Sequence, residues 1–141
     1  MTNSMPTAAE LLGSRRRVLV TGGAGFIGGA VVRRLLRESE AIVFNLDKMG
    51  YASDLTSIEE VLSELGDESE QRHVLQQVNL ADPSAVRDAV KAADPDLVMH
   101  LAAESHVDRS IAGPGVFIES NVTGTYNLLQ AVREHVDGLS G

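Results

Sequence analysis

Length, composition and charge exclude several classes of protein. The 141-residue chain is 43% hydrophobic, with 13 glycines and no tryptophan, which is typical of one globular domain rather than of a disordered or collagen-like polymer. Its net charge is −8, and so acidic a chain is a poor partner for nucleic acid because phosphate contacts need clustered lysine and arginine. The absence of cysteine excludes disulfides, thiolate metal sites and cysteine nucleophiles.

The apolar runs are too short for a transmembrane helix, which needs roughly 20 residues. The N-terminus also lacks the basic start and long apolar core of a secretory signal. We therefore expect a soluble cytoplasmic protein with no membrane partner. Residues 1–14 show no strand periodicity, and we expect them to form a mobile extension.

Strands and helices alternate along the rest of the chain, which predicts a parallel sheet with right-handed crossovers. In chain order, the predicted elements are a strand at Val18–Val20, a helix at Gly25–Glu38, a strand at Ala41–Leu46, a helix at Leu55–Leu65, a polar linker at Asp67–Arg72, a strand at His73–Leu80, a helix from Pro83 to about Ala93, a strand at Leu97–Leu101 and a helix at Val116–His135. In the first of these helices, Ile27, Val31 and Leu35 repeat every four residues and therefore share one face.

The first predicted strand is followed by a glycine-rich turn. Gly22, Gly25 and Gly28 have a G-x-x-G-x-x-G spacing between that strand and the next helix. Gly22 would permit the tight turn, Gly25 would let a pyrophosphate approach the backbone, and Gly28 would let the helix pack close to the sheet. The strand before and the helix after the motif make it specific for a dinucleotide.

An acidic residue ends the second predicted strand, 22 residues after Gly25. This residue, Asp47, is in the place where a carboxylate accepts hydrogen bonds from the hydroxyls of the adenosine ribose. The same carboxylate would repel a 2′-phosphate, so NAD is predicted in preference to NADP. Lys48 is either a second contact to the nucleotide or a solvated side chain. The fold class is therefore α/β, a Rossmann-type doubly wound parallel sheet of strand order 3-2-1-4.

A dense polar segment follows the fourth predicted strand, where ligands of such sheets lie. Ala102 and Ala103 are small enough to let a cofactor pass close to the backbone, while Glu104, Ser105 and His106 are candidates for contact with the substrate. Asp108 and Arg109 form either part of the site or an ion pair that braces the loop. A Ser-His-Asp hydrolase is disfavoured because no nucleophile elbow is present, and the scattered histidines predict no metal site.

Four blocks of the chain resemble the extended short-chain dehydrogenase/reductase family. They read VLVTGGAGFIGGAVVRRLL, NLDKMGYASDL, VMHLAAESHVDRSI and FIESNVTGTYNLLQA. The AESHVDRSI segment is similar, within that family, to the dTDP-glucose 4,6-dehydratases. The resemblance covers residues 17–133 and implies an NAD-dependent lyase that converts dTDP-glucose to dTDP-4-keto-6-deoxyglucose and water in nucleotide-sugar metabolism.

The resemblance also implies roles for individual residues. Asn79 replaces a usual aspartate and Ser120 a usual threonine, and both keep a hydrogen-bonding group. The implied NAD contacts are Phe26 and Ile27 at the pyrophosphate, Asp47, Lys48 and Met49 at the ribose, Asn79 and Leu80 at the adenine, Leu101, Ala102, Ala103 and Ser105 along the cofactor, and Ser120 from the last helix, with Ser105 also facing the sugar nucleotide.

The Tyr-x-x-x-Lys pair that drives hydride transfer in the family has no counterpart in the 141 residues. Neither Tyr51 nor Tyr126 has lysine four positions later. The chain resembles roughly the first 40% of the family's enzymes, so residues 15–137 are predicted to be a partial NAD-binding domain, with 138–141 frayed and the substrate domain absent. Complete enzymes of the family are homodimers, and the isolated chain is expected to self-associate without turnover. Two alternatives are another nucleotide-sugar dehydratase or epimerase, and a non-catalytic dinucleotide-binding module.

Overall fold

A computed structural model describes residues 4–50, 53–102 and 119–140. Helices and strands alternate over most of this part of the chain, as the sequence pattern predicts. The elements are α1 (Ala8–Leu12), β1 (Arg17–Thr21), α2 (Phe26–Glu38), β2 (Ile42–Asp47), α3 (Thr56–Leu65), a 3₁₀ helix (Asp67–Arg72), β3 (His73–Gln77), α4 (Pro83–Ala93), β4 (Leu97–His100), a π-helical turn (Glu119–Thr123) and α5 (Gly124–Ser140).

The four strands form one parallel sheet in the order β3-β2-β1-β4, which confirms the predicted topology. Strand β1 is central because its residues Val18–Val20 are apolar and can be buried on both faces. Among the described strands, β3 and β4 are the edges. Thr21, the last residue of β1, lies between Leu46 of β2 and His100 of β4. The carboxyl ends of the three strands therefore meet along one edge of the sheet.

The third strand is shorter than the predicted span, which ran to Leu80. It ends at Gln77, directly opposite Asp47, where β2 also ends. The Val78 N–H still donates to the Asp47 carbonyl oxygen at 3.2 Å. Beyond it, the Asn79 side chain accepts from the backbone N–H of Ala81 at 3.0 Å and starts a turn. Strand β3 thus ends where its partner β2 ends, because the turn formed by Asn79 competes with further hydrogen bonding between the two strands.

Apolar layers cover both faces of the sheet. Helices α1, α2 and α3 pack on one face, and α4 and α5 pack on the other. The first layer is built around Val18, Val20, Val32, Leu36, Val43, Ile58 and Val61, and the second around Leu19, Phe44, Leu46, Leu80, Val86, Val90 and Leu128.

The buried face of α2 coincides only in part with the face formed by Ile27, Val31 and Leu35. Leu35 is in the core and Val31 packs against it. Ile27, in contrast, is 66% exposed, and Val32 and Leu36 are buried as well. Gly28 causes this difference, because its bare Cα lies directly beneath the glycine turn. That close contact turns the Gly28–Val32–Leu36 face toward the sheet and leaves Ile27 beside the turn, facing outward.

A helix replaces part of the predicted mobile extension. The Thr7 hydroxyl caps α1 by accepting from the Glu10 N–H at 3.2 Å. Ala8 and Leu12, one turn apart, are buried in the same apolar layer as α2. The Ala8 N–H also donates to Glu38 at 2.9 Å. Residues 8–12 are ordered because this short segment buries an i, i+4 apolar pair that the sequence pattern did not reveal.

Two further boundaries differ from the sequence predictions. The polar linker is a 3₁₀ helix, and its last residue, Arg72, donates to the carbonyl oxygens of Leu36 and Ser39 at the end of α2. Helix α5 continues to Ser140, so residues 138–140 are helical rather than frayed. None of the helices in the described ranges is both long and apolar enough to cross a lipid bilayer.

Candidate functional site

Two glycines between the end of β1 and the first turn of α2 lie too close to backbone atoms for any other residue. Gly22 has φ +75°, and a Cβ built on it would lie 2.6 Å from the Cα of Ala102. A Cβ on Gly28 would overlap the carbonyl oxygen of Gly22. Both glycines are therefore explained by close backbone packing, between β1 and the end of β4 at Gly22 and between α2 and the turn at Gly28.

Gly25 differs from its two partners because a Cβ there would be crowded but would not overlap another atom. A Cβ there would meet only the Gly22 carbonyl oxygen, at 3.3 Å. Gly25 is the N-cap of α2, and no side chain of the described residues caps this helix end. Phe26 is 94% exposed beside it. An uncapped helix N-terminus presents backbone N–H donors and a positive dipole end, which suits an anionic group.

A fourth glycine of the turn, Gly23, was not singled out from the sequence. A Cβ at Gly23 would overlap the side chain of Asn45, which is fully buried in the middle of β2. The Asn45 amide nitrogen lies 3.2 Å from Nε2 of His73 on β3. An asparagine inside an otherwise apolar strand was the signal that could have identified this contact.

The Asp47 carboxylate connects three segments of the site. Its Oδ2 accepts from the backbone N–H of Ala24 in the glycine turn at 3.0 Å. Its Oδ1 accepts from the N–H of Met49 at 2.7 Å and from the Ser53 hydroxyl at 3.0 Å. Met49 itself is in the left-handed region of backbone conformation, with φ +59°. Asp47 is thus buried, and its orientation relative to the glycine turn is defined before any ligand binds.

Thr21 occupies the junction of β1 and β4 and was also missed by sequence reasoning. It is fully buried. Its hydroxyl oxygen accepts from the backbone N–H groups of Leu101 and Ala102 at 3.0 and 3.2 Å. It also lies 2.6 Å from Nδ1 of His100. The predicted cofactor residues Leu101 and Ala102 are therefore held beside the end of β1 by the Thr21 side chain, and Leu101 also by the Thr21 carbonyl oxygen, which accepts its N–H at 3.1 Å.

The two residues predicted to contact adenine follow β3, and one side chain is exposed while the other is buried. Asn79 is exposed, and its side chain accepts from Ala81. The Leu80 side chain is buried in the core, while its carbonyl oxygen accepts from the buried Asn127 amide of α5 at 2.8 Å. A ligand could contact Asn79 directly. Contact with Leu80 would have to involve its backbone.

The remaining predicted residues are only partly described. Lys48 is exposed at the end of β2. Ala103, Glu104, Ser105 and His106 lie outside the described residues, as do Asp108 and Arg109, and the side chain of Ser120 is not described either. Within the described ranges, no three histidine, aspartate or glutamate side chains come together in a way that could hold a metal ion.

The described site residues lie at one edge of the sheet. Gly22, Gly25, Asp47 and Ala102 all follow the carboxyl ends of β1, β2 and β4, and Asp47 is bonded directly to the glycine turn. Strand order reverses between β1 and β4, which is where open parallel sheets bind nucleotides.

The family comparison agrees with this geometry. The family model described as GDP-mannose 4,6 dehydratase matches residues 19–139. The chain belongs to this family. The match begins inside β1 and therefore includes the glycine turn, Asp47 and Ala102.

Curated relatives share more than the fold. The dTDP-glucose 4,6-dehydratase of Neisseria meningitidis serogroup B is 48% identical over 120 residues, which are 85% of this chain and 32% of that protein. The dTDP-glucose 4,6-dehydratase 1 of Escherichia coli K12 is 46% identical over 123 residues, 87% of this chain and 32% of the relative. The chain thus spans about a third of the length of the relatives that it matches.

Solved structures show the same architecture. The NAD complex of dTDP-glucose 4,6-dehydratase from Bacillus anthracis has a TM-score of 0.68 and 26% identity, covering 85% of this chain and 34% of that one. The NAD complex of UDP-glucose 4-epimerase from Thermus thermophilus has a TM-score of 0.66 and 35% identity, and the match covers 84% of this chain and 34% of that one. The Rossmann-type fold predicted from the sequence is therefore confirmed.

Proposed function

We propose that this chain forms the NAD-binding part of a dTDP-glucose 4,6-dehydratase. The observation that carries the proposal is the hydrogen bond between Asp47 and the backbone N–H of Ala24, which joins the predicted ribose-binding residue to the predicted phosphate-binding turn. Relatives that carry this enzyme's name are 41–48% identical to the chain, and a dehydratase of the same name is solved with NAD.

The shape of the turn fits a dinucleotide. Gly22 and Gly28 bring the start of α2 close to the sheet, and Gly25 adds no side chain at the uncapped N-terminus of that helix. The pyrophosphate would lie at this N-terminus, where backbone N–H groups and the helix dipole stabilise negative charge. When bound, NAD supplies the acceptor and donor of a hydride for the sugar.

Asp47 favours NAD over NADP on electrostatic grounds. Its carboxylate is buried, so solvent screens it poorly from any neighbouring charge. Ribose hydroxyls are donors that a carboxylate can accept, whereas a 2′-phosphate would place like charges together in a site of low dielectric constant. Asn79 would lie toward the adenine, and its amide can both donate and accept.

The substrate proposal, dTDP-glucose, rests on the names of the relatives and on the AESHVDRSI segment. Glu104, Ser105 and His106 are its proposed contacts. The second candidate is a UDP-sugar 4-epimerase, which the 35% identity to the NAD-bound epimerase from Thermus thermophilus favours. We propose that the 141-residue chain by itself has no turnover, because its sequence contains no Tyr-x-x-x-Lys pair to accept the proton of the sugar hydroxyl when the hydride passes to NAD.

Calorimetric titration of the chain with NAD and NADP tests the cofactor proposal. We expect tighter binding of NAD. The Asp47→Asn variant, which removes the charge but keeps the size of the side chain, should reduce the preference for NAD at least about tenfold, as expected for charge-assisted hydrogen bonds. Asp88→Ala, on the exposed face of α4, is the matched control. Equal affinity for the two dinucleotides would overturn the assignment.

Incubation of the chain with dTDP-glucose, and separately with UDP-glucose, tests the rest of the proposal. We expect neither nucleotide sugar to be converted. Formation of the 4-keto-6-deoxy sugar would contradict the proposal that the isolated chain is inactive. Epimerisation of UDP-glucose would favour the second candidate.

A further inference from the structure

His100 lies at the centre of a partly buried hydrogen-bond chain that links β1, β4 and α5. Its Nδ1 is 2.6 Å from the Thr21 hydroxyl, and its Nε2 is 2.9 Å from the Thr125 hydroxyl. The Thr125 hydroxyl in turn donates to the carbonyl oxygen of Asn121 at 2.9 Å. The chain therefore runs from the edge of the site to the helix behind it.

The direction of every hydrogen bond in this chain follows from counting protons. A threonine hydroxyl has one proton to donate. Thr125 gives its proton to Asn121, so it must accept from Nε2–H of His100. Thr21 already accepts two backbone N–H groups, so its own proton goes to Nδ1. Only the neutral imidazole with its proton on Nε2 satisfies all of these bonds.

One end of this hydrogen-bond chain is Thr21, which bonds Ala102 beside the glycine turn. Thr21 holds the N–H of Ala102, and the Cα of Ala102 is the atom that a Cβ on Gly22 would meet. The orientation of the Thr21 hydroxyl depends on its acceptor, which is His100. The backbone spacing between Gly22 and Ala102 is therefore coupled to the imidazole and, through it, to Thr125.

We propose that His100 is a positioning residue for the dinucleotide site: its Nε2-protonated neutral form, held by Thr125, orients Thr21 and thereby sets the end of β4 against the glycine turn. The inference rests on the proposed function, since the geometry it maintains is that of the NAD site. His100 itself is the last residue of β4.

The tautomer of His100 tests the geometry without any ligand. Nitrogen NMR of the imidazole in the unliganded chain should show a protonated Nε2 and an unprotonated Nδ1. Thr125→Val removes the acceptor for Nε2–H without changing the shape of the side chain, and it should shift the equilibrium toward the other tautomer. Thr125→Ser should restore the original signal. A protonated Nδ1 in the unsubstituted chain would overturn the inference.

NAD affinity tests the consequence for the site. Thr125→Val should weaken NAD binding about fivefold, as expected for the loss of roughly one hydrogen bond, and Thr125→Ser should restore it. Ser69→Ala is the control, because it removes a buried hydroxyl that bonds Leu62 and Gly66 away from the site. It should lower stability and leave NAD affinity unchanged.

The outcomes separate the inference from the function on which it rests. If the unsubstituted chain binds NAD and Thr125→Val binds it equally well, His100 is structural only and the inference is wrong. If the unsubstituted chain does not bind NAD, the proposed function falls and the inference falls with it, even when the tautomer is the expected one. His100→Leu provides a second variant, for which a larger loss of affinity than that of Thr125→Val is expected.

Discussion

The Ser53 hydroxyl donates a 3.0 Å hydrogen bond to the same oxygen of Asp47, Oδ1, that accepts the backbone N–H of Met49. A carboxylate oxygen offers about two acceptor sites. Bonds from the described residues occupy both sites of Oδ1 and one site of Oδ2, which accepts from Ala24. A ribose diol that needs both oxygens would have to displace the serine. Ser53 thus competes with the proposed ligand for Asp47.

Removal of the Ser53 hydroxyl should therefore strengthen NAD binding. We expect Ser53→Ala to raise the affinity about two- to fivefold, because one hydrogen bond no longer has to be exchanged. Calorimetry measures the change, with Ser57→Ala on the exposed side of α3 as control. Weaker binding by Ser53→Ala would mean instead that the serine holds Asp47 in its binding orientation.

Two adjacent glycines of α2 should respond oppositely to alanine. A Cβ on Gly28 overlaps the Gly22 carbonyl oxygen, whereas one on Gly29 has its nearest neighbour, the tip of Arg33, at 3.4 Å. Gly28→Ala should lower the free energy of unfolding by about 1–3 kcal/mol through overpacking. Gly29→Ala should raise it by about 0.5–1 kcal/mol, because alanine loses less backbone entropy in a helix. Urea denaturation distinguishes the two, and equal effects would contradict the packing described for the turn.

Stability should fall when the pH is lowered below neutrality. Burial lowers the pKa of His100, and burial lowers the pKa of His73 against the opposing effect of Glu59, each from an ordinary value of 6.5. The unfolded chain therefore takes up protons first as the pH falls, and the free energy of unfolding decreases from about pH 7 downward through 6.5.

Denaturation at pH 7.5 and pH 5.5 measures this effect. The double variant His73→Gln and His100→Gln should show a smaller loss of stability between the two pH values than the unsubstituted chain. Two other groups contribute only at lower pH: hydrogen bonds from Ala8 and Thr56 lower the pKa values of Glu38 and Asp54 below their ordinary 4.5 and 3.8. An unchanged pH dependence in the double variant would show that the two histidines do not cause the effect.

The two strands that border the proposed cofactor turn should differ in amide protection. Among the described residues, β4 pairs only with β1, whereas β1 is paired on both sides. All four residues of β4 are half-buried, while Val18–Val20 are fully buried. Hydrogen exchange should therefore be faster at Leu97–Leu101 than at Val18–Val20. Equal protection in the two strands would refute this prediction.

Helix α5 presents an apolar stripe that should drive self-association. Tyr126 and Leu129 are exposed on it, one turn apart, and Val136 is exposed two turns after Leu129 on the same side. Val122 is exposed in the preceding π-helical turn. We expect light scattering to detect species larger than the monomer. Leu129→Glu should shift them toward the monomer, and Lys91→Glu on α4 should not. A monodisperse monomer of the unsubstituted chain would contradict this prediction.

Much of the fold could be predicted because its determinants are local. Short apolar runs identified the four strands, and helical periodicity identified the helices between them. Asp82 and Pro83 marked the start of α4, where the Asp82 side chain accepts from the Ala85 N–H. The glycine spacing and Asp47 were recognisable for the same reason. Each motif lies at the end of one strand, and parallel strands bring their carboxyl ends to one edge.

The tertiary structure alone decided which residues support that edge. Thr21 and His100 are 79 positions apart, and Gly23 is explained only by the buried side chain of Asn45 in the neighbouring strand. The exposure of Ile27 depends on how closely Gly28 approaches the turn. Periodicity describes how a residue relates to its own helix or strand. The partners of a buried hydroxyl or imidazole are set by the register between elements distant in sequence, which only packing determines.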